Sequence, residues 1–250
     1  MNLAVIDAGG NFVVHIHMDG NWIGSINEAA QAFKGLGAKV ETVEADLATY
    51  DGVETLYSQI QATGRPVDTI AINAGVGVGG EFARETDLKD ELNLINLNVV
   101  STVHLAKLVV KDMVNRGERR ILFTSSIIFQ MPSPFQAVYA ASKAFVHSFS
   151  EAIRNELKDT GVTLTALMPG ATETNFFHRA GLDDTKVGTD KKDDLAEVAK
   201  QGFEALMAGN DGVLAESLKT KIQGAVSKIL PDTVTAEMNR KLNEPGSADK

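Results

Sequence analysis

The chain has no cysteine, which excludes disulfides, thiolate metal sites and a cysteine nucleophile. Positive charge is also scarce. Lys and Arg number 24 against 33 Asp and Glu, a formal net charge of −9 at pH 7 and a pI near 5.1. That balance argues against a nucleic-acid groove or an anionic membrane surface as partner. The acids are spread along the chain, as on a solvated surface, not gathered into a docking patch. No unbroken apolar run approaches the roughly 18 residues that span a bilayer. The first Lys or Arg is Lys34, so neither the charged start of a signal peptide nor an Arg-rich transit peptide is expected. These absences make a soluble cytoplasmic protein the expectation.

What is present is a strand–helix alternation. The 250 residues are 44% hydrophobic, enough for a substantial core in one domain spanning 1–250. Phe12–His17, Lys39–Val43, Asp68–Asn73, Arg120–Thr124 and Val162–Met168 read as strands, several of them apolar throughout, as burial on both faces requires. Between them Ile26–Leu36, Gly52–Thr63, Leu88–Arg116 and Gln136–Thr160 carry apolar residues at helical spacing, and glycines such as Gly64, Gly117 and Gly161 end helices just before the next strand. Such alternation predicts a three-layer, Rossmann-like α/β fold, a doubly wound parallel sheet with right-handed crossovers. Beyond Ala171 the chain is polar and irregular. Leu195–Met207 then reads as a helix, Gly212–Ala215 as a short strand, and Lys219–Ile229 and Pro231–Leu242 as helical stretches before a polar tail expected to fray.

Tyr139 and Lys143 stand four apart in a predicted amphipathic helix, so they share one face, one turn apart. A free phenol has a pKa near ~10, too high to exchange protons readily at neutral pH. A neighbouring ammonium favours the phenolate, and such a tyrosine serves as a general acid or base. Ser126 lies just past the strand Arg120–Thr124, at the C-terminal edge where open α/β sheets bind ligands. Its hydroxyl can hydrogen-bond a carbonyl or alcohol oxygen. Taken alone, Tyr-x-x-x-Lys also describes a tyrosine packed on a helix face with a lysine snorkelling beside it.

In combination these residues resemble the short-chain dehydrogenase/reductase family, in its compact branch, from about Ile26 to the C-terminal region. Asn73-Ala74-Gly75 resembles the family's Asn-Ala-Gly motif, and Asn98 falls where the family places its catalytic asparagine. Ser126, Tyr139 and Lys143 match its serine and Tyr-x-x-x-Lys. Pro169-Gly170-Ala-Thr172-Glu-Thr174 resembles the Pro-Gly turn that holds the nicotinamide carboxamide, and Asp46-Leu47 the pair that contacts adenine. The resemblance implies an oxidoreductase that moves hydride between NAD or NADP and a carbonyl or alcohol substrate. Tyr139 would transfer the oxygen's proton and Ser126 would orient that oxygen. Lys143 would lower the tyrosine pKa and bind the ribose, and Asn98 would hold a water linking Lys143 to solvent. It further implies a homodimer or homotetramer, pairing through Leu88–Arg116 and Gln136–Thr160. Epimerases and dehydratases of the extended branch share Tyr-x-x-x-Lys, but the short C-terminal region and Asn73-Ala74-Gly75 speak against them.

The start of the chain departs from this pattern. The family opens with a strand, a Thr-Gly-x-x-x-Gly-x-Gly turn for the pyrophosphate and a helix. Here the one early glycine cluster is Asp7-Ala-Gly-Gly-Asn11, with neither that spacing nor a following helix. Either Met1–Gly10 is the remnant of the first helix, with strand and phosphate loop absent, or Leu3–Ile6 is a strand with an abbreviated turn. Counting back from Asp46 favours the former. The loss would weaken dinucleotide binding, and a catalytically impaired chain kept as a binding or assembly partner is the alternative function. Gly75-Val-Gly-Val-Gly-Gly80 fits a bare G-x-G-x-x-G, but reads better as Asn-Ala-Gly followed by a flexible loop. His15 and His17 share a strand face with no third ligand nearby, so no metal is expected. Asp19 is placed to meet the adenosine ribose, and Phe176, Phe177 and His178 either line an apolar pocket or anchor their loop on the core.

Overall fold

The structure, a computed structural model, describes residues 4–6, 12–17, 39–117, 119–215 and 230–248. Seven strands form one sheet in the order β3-β2-β1-β4-β5-β6-β7. They are β1 Ala4–Ile6, β2 Phe12–His17, β3 Lys39–Glu44, β4 Thr69–Ile72, β5 Arg119–Thr124, β6 Val162–Pro169 and β7 Gly212–Ala215. The described helices that flank them include α1 Tyr50–Ala62, α2 Leu88–Ile95, α3 Ser101–Val114, α4 Ala137–Glu156, α5 Phe176–Arg179, α6 Lys186–Thr189, α7 Leu195–Ala208 and α8 Asp232–Asn243.

Strand periodicity sorts the core into two layers. Ile70, Ile72, Ile121, Phe123 and Leu164 face α1, α3 and α4, where they meet Leu56, Ile60, Leu105, Val109, Met113 and Val146. The alternate residues Ala71, Leu122, Leu167 and Val213 face the other way, against Val198 and Leu206 of α7. Helices on both faces of a largely parallel sheet give the three-layer Rossmann-like architecture that the alternation predicts. The run 88–114 is long and apolar enough, by length and composition alone, to cross a membrane. In this fold Leu97, Leu105, Val109 and Met113 pack into the core, while Leu88, Leu92, Ile95 and Val100 are exposed.

Two expectations are corrected. The start of the chain supplies a strand, not a helix remnant: Ala4–Ile6 fills the central sheet position, so β2 is not left at an edge or beside a gap. It runs antiparallel to both neighbours, pairing Ile6 with Val13 of β2 and Thr69 of β4. The reason is chain length. Residues 7–11 are too few for a parallel crossover, which takes about a dozen, but enough to join antiparallel strands. The polar tail does not fray either. Gly246 N donates to Asp184 Oδ2, Ala248 N to the Asp184 carbonyl, and Ser247 is buried with its Oγ accepting from Lys186 N. The predicted helices Ile26–Leu36 and Lys219–Ile229 lie outside the described residues.

Candidate active site

Three parallel strands end at the same edge and set out the site. Asn73–Gly75 follow β4, Ser126 follows β5, and Pro169–Thr174 close β6. Ser125 fastens the next element, its N donating to the Leu167 carbonyl and its Oγ to the Lys143 carbonyl at 2.8 Å. That places the first turns of α4 over the ends of β5 and β6, with Tyr139 and Lys143 facing inward, 9% and 3% exposed.

Lys143 Nζ donates to the Thr124 carbonyl at 2.9 Å and lies 5.9 Å from the Tyr139 ring centroid. Thr124 Oγ1 is buried without a hydrogen-bond partner among the described residues. Gly75 sits where a Cβ would come within 3.0 Å of Asn98 Oδ1 and 3.3 Å of Lys143 Nζ. Asn98 is 1% exposed and fully engaged: Oδ1 accepts from Val76 N, and Nδ2 donates to the Val76 carbonyl and to Ser142 Oγ. Its side chain therefore locks the loop after β4. Asn98 falls in a π-helical turn, Asn96–Val100, between α2 and α3. Such turns gather at functional sites, and apolar periodicity gives no warning of them.

The electrostatics differ from expectation. Burial pushes the Tyr139 phenol up to about 12, its hydrogen bond with Ser126 offsetting part of the rise. Burial lowers Lys143 to about 8. Both shifts disfavour a phenolate–ammonium pair, because burial desolvates both groups. What results is a neutral, buried phenol hydrogen-bonded to a serine.

The remaining predicted residues separate by location. Thr172 Oγ1 donates to the Gly170 carbonyl, Thr174 Oγ1 accepts from Phe176 N, and the Pro169 carbonyl accepts from Ser126 Oγ at 3.4 Å. That turn is thus brought to Ser126. Ala74 and Leu47 are buried in the core, whereas Asp46 is exposed and caps its own turn through Ala48 N. Asp19 lies outside the described residues. Phe176 packs at a tilt against Tyr139 with ring centroids 5.1 Å apart, and Phe177 packs with Ala180 and Leu182. Phe176 also packs against that cluster, so both phenylalanines anchor the loop on its neighbours. The segment Gly75–Gly80 is pinned at its far end: Gly79 N donates to the Ala180 carbonyl and Gly80 N to the Phe135 carbonyl. A Cβ on Gly79 would overlap Leu182 and lie 2.8 Å from the Ala180 carbonyl oxygen, so glycine is what permits this approach.

The nicotinamide-riboside side of a dinucleotide fits these groups. Tyr139, Lys143 and Ser126 converge beside the Pro169–Thr174 turn, and Gly75 leaves the backbone open next to Lys143. The phosphate side is different. The strand ends Ile6 and Phe12, which flank the early glycines, pair near Thr69 and Lys39 at the opposite edge of the sheet.

Known proteins share this plan. The family model for short chain dehydrogenase matches residues 11–185. The ketoacyl reductase HetN of Nostoc sp. is 29% identical over 217 residues, covering 83% of this chain and 73% of that protein. A sulfoacetaldehyde reductase of Chromohalobacter salexigens is 34% identical over 138 residues, 55% of this chain and 54% of its own length. Among solved structures, a short-chain dehydrogenase from Sphingobium yanoikuyae in complex with NADPH gives a TM-score of 0.74 at 23% identity, covering 88% of this chain and 86% of that one. A short chain dehydrogenase/reductase from Burkholderia phymatum in complex with NAD gives 0.73 at 20%, covering 92% and 87%. The chain belongs to the short-chain dehydrogenase family and with it to the NAD(P)-dependent oxidoreductases that transfer hydride.

Proposed function

We propose that this chain reduces a small carbonyl compound, with Tyr139 as the proton donor and with weakened hold on the phosphates of NAD or NADP. One observation carries the reading: Tyr139, Ser126 and Lys143 converge beside the Pro169–Thr174 turn at the C-terminal edge of the sheet, and the buried phenol is protonated at pH 7, as a proton donor must be. Ser126, hydrogen-bonded to that phenol, orients the substrate oxygen. When bound, the nicotinamide supplies hydride to the carbonyl carbon. Lys143 lies on the ribose side and holds a positive charge near the developing oxyanion, and Asn98 fixes the Gly75–Val76 backbone against which the ring would rest. NADPH and NAD in similar folds support either cofactor.

The weakened hold is supported by the sequence, which contains no Thr-Gly-x-x-x-Gly-x-Gly, and by the reversed β1. The same reversal favours the second reading, an impaired family member acting as a binding or assembly partner. We also propose a cytoplasmic homodimer or homotetramer, supported by exposed Leu88, Leu92 and Ile95 on α2 and Phe145 on α4. Turnover of a carbonyl panel with NADH and NADPH tests the enzyme reading. Reduction by the wild type and none by Tyr139→Phe supports it. No turnover and no cofactor binding at millimolar concentration sinks it, and cellular function that survives Tyr139→Phe favours the partner reading.

A further inference from the structure

The helix α8 is inverted. Its inward residues are polar, Thr235, Asn239 and Asn243, each 6% exposed or less, while Val234 and Met238 face out at 43%. A helix that buries amides and shows apolar side chains docks by hydrogen-bond geometry more than by apolar area. Its target is the segment 131–136, which leads into the helix carrying Tyr139. Prolines at 132 and 134 remove two backbone donors there, and Phe135 adopts φ 63°, the only left-handed non-glycine among the described residues. Backbone strain of that kind persists only where the surroundings over-determine it, and it gathers at ligand sites.

The over-determination can be traced carbonyl by carbonyl. Asn239 Nδ2 donates to the Pro132 carbonyl at 3.0 Å and Gln136 N to that of Ser133 at 3.1 Å. Asn243 Nδ2 donates to the Pro134 carbonyl at 3.3 Å and Gly80 N to that of Phe135 at 2.9 Å. Asn243 does more: Nδ2 also donates to Ser133 Oγ at 2.8 Å, and Oδ1 accepts from Gln136 Nε2 at 2.9 Å. Gln136 is the residue that caps α4, three before Tyr139, and the Arg240 guanidinium stands 5.0 Å over the Phe135 ring. From Phe135 the connection continues through Gly80 and Gly79 to the Ala180 carbonyl, beside the loop that carries Phe176.

We propose that Asn243 is a positioning residue of the active site: by gripping Gln136, Ser133 and Pro134 together it fixes the 131–136 wall, sets the start of the Tyr139 helix and so shapes the substrate side of the pocket. This rests on the carbonyl-reductase reading. The groups it fixes lie on the substrate side, so its loss acts on carbonyl binding and leaves the nicotinamide side alone.

The test compares the full-length wild type with Asn243→Ala, Gln136→Ala, the double variant and the milder Arg240→Ala. In Asn243→Ala, KM for the carbonyl rises about tenfold while KM for the nicotinamide stays within about twofold, a split that general destabilisation does not produce. The double variant is no worse than Asn243→Ala alone, because the Gln136 side chain acts through Asn243; a further rise in the double variant counts against the clamp. Arg240→Ala shifts the carbonyl KM in the same direction by less, and answers for the site if Asn243→Ala does not fold. Amide exchange, read without turnover, speeds up in 133–141 and at Gly79 and Gly80 but not in α3. Unchanged exchange there in a folded Asn243→Ala, or equal shifts in both KM values, overturns the proposal. A wild type that reduces nothing defeats the functional reading, and exchange then decides the clamp by itself.

Discussion

The two halves of the sheet are built to different standards. From β4 to β7, the strands are parallel, their ends meet at one edge, and buried polar groups such as Asn98, Ser125 and Lys143 each have a named partner. From β3 to β1, the place between β2 and β4 is filled by a three-residue strand running antiparallel to both neighbours, the wrong way for its fold class. The difference teaches that the strands carrying the Tyr139 site keep the parallel order of the fold class even where a neighbouring strand is reversed. The proposed weak hold on the phosphates belongs to the second half and the proposed proton transfer to the first.

The comparison breaks first at Tyr139. Tyr139→Phe removes one hydroxyl from a packed site, so reductase activity falls about a hundredfold or more while far-UV dichroism and Tm stay near wild type. Activity retained within a few fold would place the chemistry elsewhere.

Lys143 comes next, through pH. Burial lowers its pKa from the usual 10.5 to about 8, so between those values the folded chain is neutral at this site and the unfolded chain is charged. The unfolded state then binds more protons, and stability rises with pH across that window. Its contribution is complete above about 10.5 and lost as pH falls through about 8. Denaturant unfolding at pH 8 and pH 10.5 should therefore show the wild type gaining about 3 kcal/mol relative to Lys143→Met. A flat difference would mean that Lys143 is solvated.

Asn98→Ala strips hydrogen bonds from both backbone groups of Val76 and from Ser142, inside the core. A stability loss of about 3 kcal/mol is expected by denaturant unfolding, with faster amide exchange at Gly75–Gly80. The smallest effect belongs to the other half. Thr49 caps α1 through Gly52 N, so Thr49→Ala should cost about 1 kcal/mol and leave carbonyl KM unchanged.

Much of this was legible in the sequence, and the illegible parts share causes. Apolar periodicity located the strands of the catalytic half and placed Ser126, Tyr139 and Lys143 at one edge, because buried parallel strands and one-sided helices leave that signature. It placed a helix over Pro231–Leu242 but could not report which face of α8 turns inward, because Thr235, Asn239 and Asn243 read as exposed. Nor could it report the π turn around Asn98 or the left-handed Phe135, which are set by tertiary partners such as Val76 and Gly80. The direction of β1 was within reach: five linking residues allow an antiparallel turn and forbid a crossover. The burial that pushes the Tyr139 pKa up was not within reach, because that desolvation is a consequence of packing.

The central proposal is a site that holds the nicotinamide end of the cofactor and binds its phosphates weakly. Its most direct test is to titrate the full chain with NADPH, NADH and reduced nicotinamide mononucleotide, following nicotinamide fluorescence. The account predicts that the dinucleotides bind within about tenfold of the mononucleotide, since about 1.4 kcal/mol or less comes from the adenosine and pyrophosphate. A dinucleotide bound at micromolar concentration, and more than about a hundredfold tighter than the mononucleotide, would contradict it and show that this chain does build a phosphate site.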